Sequence, residues 1–508
     1  MYKFQSKQTS IFDFGMPLGM ELDPKNRWVK KSLIFPWDEL EQRYSSLFAN
    51  KTTGNVAKPL RLALGALLIQ KEYGYSDEEI VEQIRENPYL QYFCGMPSYT
   101  TDKPFDSSSM THFRKRLTDD IIREINEMVI VYVKKHRKPK KSNKTKRHDP
   151  PSDDTNNNSG VHTLSSEEAT LPEPKPEGVL LLDATVAPQN VRFPLDLSLL
   201  NESRLNLEGM IDDLHEVSDG LKPRTERKNA KRAYLAIAKK KKNKKKAIRK
   251  AIKQQLRYVR RDINIINSYF ANGKVLPDKL MQRFETIKTV YEQQQFMYKN
   301  KTHSVKHRII SLSQPHIRPI VRGKAGADVE FGPKLHLSVS SGFTRVEYVS
   351  FEAFHEGEQL QSLVENYRVR EKHYPKLILA DKIYRNRENI AFCKDRGIEL
   401  AGKPLGRPPK NNQFNLKRMR KHEIARIEVE RKIGLCKGSY GLGKLRTKLV
   451  STSRTSIALS VLAMNIGYIL CCLYFWLLSL TKDIALELKN MLMNVDNQYC
   501  CRKMILIQ

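Results

Sequence analysis

Glu430 stands between two cations, Arg426 and Lys437, in one short segment near the C-terminal end. On an α-helix, positions 426, 430, 433 and 437 share one face, because spacings of four, three and four follow the helical repeat. That face offers a carboxylate for a divalent ion and two cations for phosphate oxygens. One carboxylate cannot hold such an ion alone, so others must come from elsewhere. Two apolar runs supply them. Gly178-Val-Leu-Leu-Leu runs into Asp183, and Lys376-Leu-Ile-Leu-Ala runs into Asp381. Short continuous apolar runs read as buried strands, and an Asp at the end of a central strand points into a site at the sheet edge. Taken singly, either Asp is equally a turn-starting or helix-capping residue. Together, Asp183, Asp381 and Glu430 form an oxygen-donor set suited to two Mg²⁺ ions, with Mn²⁺ as a substitute. Such a pair makes a nucleophile of water or a 3′-hydroxyl and stabilises the leaving oxygen of an in-line displacement. Glu428 competes for the role, but it lies nearly on the opposite helical face and lacks the arginine–lysine spacing.

The elements that must position these groups belong to a long, basic chain. Its 508 residues predict two or three domains. The 89 Lys and Arg against 56 Asp and Glu leave a formal charge of +33, a field suited to the nucleic-acid backbone before an anionic membrane surface. Seven cysteines include no C-x-x-C pair, which disfavours a zinc site or disulfide framework and fits a reducing, cytoplasmic setting near the nucleoid. No signal peptide is visible in residues 1–20.

Residues 1–45 read as an arm docked by Phe12, Phe14 and Trp37. Residues 46–136 read as a helical, helix-turn-helix-like DNA-binding domain. Its Leu60–Leu68 periodicity gives a first helix, the Ser76/Glu79 capping box a second, and the stretch from Ser109 through Ile125 a third, exposing Arg114, Lys115 and Arg116. A helical packing module with a solvated basic face is the plainer alternative. Residues 137–177 lack core-forming residues and read as a disordered linker. From 178 to 480 an α/β domain is expected, with a helical block at 195–312. That block includes a long amphipathic helix whose apolar stripe runs from Ile248 to Phe270 and whose opposite face is cationic, for DNA or simply for solvent. Leu335, Leu337 and Val339 alternate before Gly342 and a return strand, a hairpin pattern. The loop holding Gly406, Arg407 and Lys410 reads as a minor-groove contact or as a stiff basic loop. Residues 481–508 form a tail.

The segments Leu182-Asp183-Ala184-Thr185 and Ala380-Asp381-Lys382, with Tyr384 and Arg385, resemble those of bacterial insertion-sequence DDE transposases, close to the insertion-sequence-four and -five groups. So does the Arg426, Glu430, Lys437 spacing, except that Glu423 stands where the family's signature has Tyr. Arg322-Gly323-Lys324, Glu330-Phe331-Gly332 and Ala463-Met464-Asn465 also look like family features. The resemblance implies an RNase H-like catalytic domain, a mixed five-stranded sheet flanked by helices, with the 195–312 block inserted after the first strand. It implies Asp183, Asp381 and Glu430 as catalytic metal ligands, with phosphate or DNA contacts from Arg426, Lys437, Arg407, Lys410, Arg322, Lys324 and residues 114–116. It further implies binding of double-stranded DNA, both element ends and target, by a homodimer or larger assembly. A nuclease without strand transfer and a non-catalytic DNA-binding relative are the rivals.

Residues 457–480 carry no charge and are long enough to span a bilayer. The resemblance implies instead a helix packed on the sheet, making membrane contact the lesser reading.

Overall fold

The structure, a computed structural model, describes residues 10–48, 56–136, 175–240, 244–324, 327–403, 405–406 and 413–472. The expected linker (but for residues 175–177), Arg407, Lys410, the end of the apolar run and the tail lie outside these residues.

Helices α1 (Arg27–Ser32) and α2 (Trp37–Ser45) open the chain, and their Trp28 and Trp37 are buried. The expected arm is therefore helical from Arg27 and contributes to a core; Phe14 is buried too, while Phe12 is exposed. Then come α3 (Leu60–Tyr73), α4 (Asp77–Glu86), α5 (Pro88–Phe93), α6 (Ser109–Arg116) and α7 (Asp119–His136). The capping reading at Ser76 is met, its hydroxyl accepting from the Glu79 N–H at 3.1 Å. The single helix expected across 109–125 is two helices. Leu117 leaves helical geometry at ψ 78°, and α7 restarts with Asp119 and Asp120 in its first turn, where acidic groups favour the helix dipole.

Strand β1 (Val179–Val186) follows, so Asp183 sits inside the strand and not at its end. The helical block is α8 (Asp196–Leu214), α9 (Arg227–Ala238), α10 (Lys245–Ala271) and α11 (Asp278–Asn300). It has its own core of Leu207, Ile211, Val259, Ile266, Phe284 and Ile287. A hairpin, β2 (Pro319–Lys324) with β3 (Ala327–Phe331), leads into β4 (Lys334–Ser340) and β5 (Phe343–Ser350). Next are α12 (Leu360–Glu371), β6 (Leu377–Leu379), α13 (Arg387–Asp395), β7 (Glu399–Leu400), α14 (Gln413–Ser439) and α15 (Val450–Cys472).

Among the described residues the main sheet has five strands in the order β5-β4-β1-β6-β7. β1 pairs antiparallel with β4 and parallel with β6, so it is the central strand. Gly342 turns the β4–β5 hairpin at φ +82°, a region closed to most side chains. Gly332 is fixed by close approach. A Cβ there would collide with the Ala187 carbonyl, where the chain leaving β1 bonds to the end of β3 through Gln189 N–H and Phe331 O at 2.7 Å.

Helix α15 joins the two halves of the molecule. It is long and apolar enough to cross a membrane, but 72% of its most apolar window is buried within the protein. Ala458, Leu459, Leu462 and Ile466 pack in one core with Leu64, Phe113 and Val129 of the N-terminal helices. Buried Asn465 locks the junction: its Nδ2 donates at 2.8 Å to Asn126 Oδ1 of α7 and at 2.8 Å to Thr344 O of β5, and its Oδ1 accepts from Thr344 N–H at 3.0 Å. The N-terminal helices and α15 thus share one core, which β5 enters through Phe343, while the rest of the sheet builds its own apolar clusters.

Candidate active site

The register of the central strands sets where the two aspartates stand. Leu181 of β1 faces Leu379 of β6 in parallel pairing. Asp183 and Asp381 each lie two residues beyond that pair, Asp183 still within β1 and Asp381 past the end of β6, where it caps a short 3₁₀ turn. Helix α14 lies across this pair of strands. Val429 is fully buried against Leu181, Val339, Leu379 and Ala401, with Ile433 beside it. That contact sets the helix's rotation and places Glu430, the next residue, at the border between sheet and solvent.

The carboxylates sense one another. Burial pushes the Asp183 carboxyl above its usual range; the Ala184 N–H and Arg426 oppose this, while the charges of Glu356 and Glu430 add to it. Tyr384, buried behind the site, has its phenol pushed up by burial and then by Glu356, Asp183 and Asp381. Its hydroxyl lies 3.3 Å from His336 Nδ1 on β4, and burial lowers that imidazole to about 4, so it is neutral at pH 7.

Sequence reasoning missed Glu356 and His336. Glu356 opens a short 3₁₀ turn after β5 and pairs with Lys334 at 2.9 Å. It follows no strand-end pattern and has no cationic neighbours in sequence, so only the fold brings it to Asp183.

Each expected ligand is held by its nearest donor. Asp183 Oδ1 accepts from the Ala184 N–H at 2.8 Å, Asp381 Oδ1 caps the Lys382 N–H at 2.7 Å, and Glu430 pairs with Arg426 at 2.8 Å. Among the described residues, no three His, Cys, Asp or Glu side chains are gathered tightly enough to hold a metal ion. The donor set nevertheless suits a hard dication: all are carboxylates, and Glu430 adds to the burial that raises Asp183.

The remaining expected residues separate into groups. Lys437 stands 4.0 Å from Glu330 Oε1 at the β3 end, on the same side of α14 as Glu430. Glu428 turns away to Arg431 at 2.6 Å, and Glu423, in the position expected for tyrosine, is exposed. Arg322 and Lys324 lie on β2, at the hairpin. Arg114, expected as an exposed DNA contact, is instead partly buried. It bridges α6 to α4 through Asp77 Oδ2 at 2.9 Å and reaches Gln70 Oε1 at 3.0 Å. Arg116 lies 5.5 Å from the Phe48 ring, while Lys115 projects into solvent.

Two family models match this architecture from its two ends. One, described as Transposase DDE domain, covers residues 378–467, a span that begins in β6 and holds Asp381, Arg426, Glu430 and Lys437. The other, described as Transposase domain (DUF772), covers residues 18–116, the N-terminal helices through α6. Both matches are to transposase domains, and together they support an insertion-sequence DDE transposase. The two matched segments are the ones that α15 packs into a single core. Among curated proteins, the chain is 31% identical over 104 residues to an uncharacterized protein, ORF8 in the nfe locus of Rhizobium meliloti. That alignment spans 20% of this chain and 49% of the relative, about half its length. No solved structure matches.

Proposed function

We propose that the protein is a DNA transposase acting in the cytoplasm, with an RNase H-like catalytic domain centred on β1, β4, β5, β6 and β7. It binds the terminal inverted repeats of its element, cleaves there and joins the freed 3′-end to target DNA. The observation that supports this reading is the parallel pairing of β1 with β6, with Asp183 on β1, Asp381 two residues past the end of β6, and Glu430 next to Val429, which α14 seats against both strands. These three would hold the Mg²⁺ ions, with Glu356 as a further carboxylate in range. Bound there, Mg²⁺ supplies an activated water or 3′-hydroxyl and charge for the leaving oxygen. The residues do the rest. The rigid backbone of β1 fixes Asp183. Arg426, now paired to Glu430, swings to a phosphate oxygen when that carboxylate turns inward. Lys437 holds a second phosphate on the same helical face.

DNA is held along the cationic face of α10, where Lys246, Lys250, Lys253, Arg257 and Arg260 are exposed, and by Lys115 of α6. Pairing two ends requires a dimer or larger assembly. An assay of labelled end DNA with Mg²⁺ and a target plasmid tests this: nicked ends and joined products together support transposition. Nicked ends alone indicate a nuclease, and binding without either product indicates a non-catalytic relative.

A further inference from the structure

A cavity of about 380 Å³ opens at the far edge of the main sheet from β6 and β7. It is lined by edge strand β5 and the residues after it, by Arg123 of α7, by His316 and Arg318, and by Val450 and Arg454 of α15. Three guanidiniums share this cavity with two carboxylates, Glu347 and Glu352, and like charges repel unless anions join them.

The local carboxylates leave that charge incompletely matched. Glu347 is occupied by Arg370 at 2.6 Å and by the Ser338 hydroxyl. Glu352 accepts from Arg318 Nε at 3.0 Å and stands 3.3 Å from His307 Nδ1. Arg123 pairs with Asp119 on its own helix at 3.1 Å. Arg454 pairs with no carboxylate among the described residues; its Nη2 makes a long 3.4 Å contact with the Val349 carbonyl. Moreover, the Arg123 Nε and Arg454 Nε donors are buried without a hydrogen-bond partner, as is Nε2 of His316, whose imidazole burial pushes toward the neutral form. Unmet buried donors are costly, and the two guanidinium N–H groups at one cavity point to a missing acceptor. Beside the cations, the Tyr348 ring is 41% exposed, and His316 meets Phe351 edge-on at 4.9 Å.

We propose that this cavity is an oxyanion site for a nucleotide-sized phosphate ligand, with Arg123, Arg318 and Arg454 holding the phosphate and Tyr348 offering a flat face to the ring. Guanidinium forks suit phosphate oxygens, and the volume falls in the range of small-ligand sites, where a bare phosphate would leave most of the space to water. The site is separate from the carboxylates, and its ligand binding does not depend on the proposed catalysis.

The test is isothermal titration calorimetry on the full chain with adenosine monophosphate, inorganic phosphate and adenosine. Adenosine monophosphate should bind saturably, phosphate more weakly, and adenosine not at all. Arg454→Gln and Arg123→Gln should each weaken nucleotide binding by about tenfold or more. Arg123 is partly exposed, and thermal melts identify any variant that fails to fold. No nucleotide binding, equal affinity in folded variants, or adenosine binding as tightly as the nucleotide would each overturn the site. So would displacement of the nucleotide by duplex DNA at equal phosphate concentration, which would make the cavity part of a DNA path.

Discussion

Two groups of acidic residues in this protein have opposite surroundings. In the helical block, carboxylates are mostly matched. Buried Glu208 pairs with buried Arg204 one turn away on α8, and Asp212 takes both Arg227 and Lys222, bonds that hold its carboxyl down at about 2. At the β1–β6 junction, Glu356 pairs with Lys334 and Glu430 with Arg426, but Asp183 makes no ion pair among the described residues; it accepts only from the Ala184 N–H and is pushed up, first by burial. Matched charges in the block join α8 to the start of α9 and fix helices to one another. Asp183, unmatched in the sheet, fixes no pair of elements and retains its affinity for a cation. Within the block, buried Asp262 of α10 departs from this matching: neither oxygen is hydrogen-bonded, Arg261 stands 3.5 Å away, and its carboxyl is raised to about 7, first by burial.

The contrast can be broken experimentally, largest effect first. Arg204→Ala strands Glu208 inside the helical block and should cost about 3–5 kcal/mol in denaturant unfolding. Asn465→Ala removes three buried hydrogen bonds between α7, β5 and α15. It should cost about 2–3 kcal/mol and separate the unfolding of the N-terminal helices from that of the sheet. Asp262→Asn should stabilise the protein at pH 8 by about 1–3 kcal/mol. The sign follows from the raised value: folded Asp262 keeps its proton while the unfolded chain has lost its own, so stability falls as pH climbs from about 4 to about 7. The Asn variant should flatten that part of the pH–stability curve; an unchanged slope would count against the unmatched charge. Asp212→Asn, at a partly exposed ion pair, should cost less than about 1 kcal/mol at pH 7. Its lowered carboxyl puts that contribution above the ordinary carboxylate value, to be lost as pH falls from about 4 to about 2.

Much of this arrangement is legible in sequence because it is local. The runs Val179–Leu182 and Leu377–Leu379 declare strands, Gly342 declares a hairpin, and the Ile248–Phe270 stripe declares α10. The spacing of Arg426, Glu430 and Lys437 places those side chains on one side of α14, as the Arg426–Glu430 pair and the Lys437–Glu330 approach reflect. What depends on distant contacts is not legible. Trp37 looks like an anchor of an arm until α3 and α5 are packed against it. Arg114 looks solvent-bound until Asp77, 37 residues away, claims it. Glu356 joins the site only because the chain after β5 folds back beside Tyr384. The apolar stretch in α15 also reads, as the lesser alternative, as a membrane span until Asn465 is found between α7 and β5.

The most direct test of the proposed chemistry compares wild type with Asp183→Asn on the same end DNA, measuring Mg²⁺-dependent cleavage and DNA affinity side by side. The expected result is cleavage lower by roughly a thousandfold or more, since several kcal/mol of nucleophile and leaving-group stabilisation are lost, with affinity unchanged within about twofold. Cleavage by the variant at the wild-type rate would contradict the assignment of Asp183, and with it the site built on β1, β6 and α14.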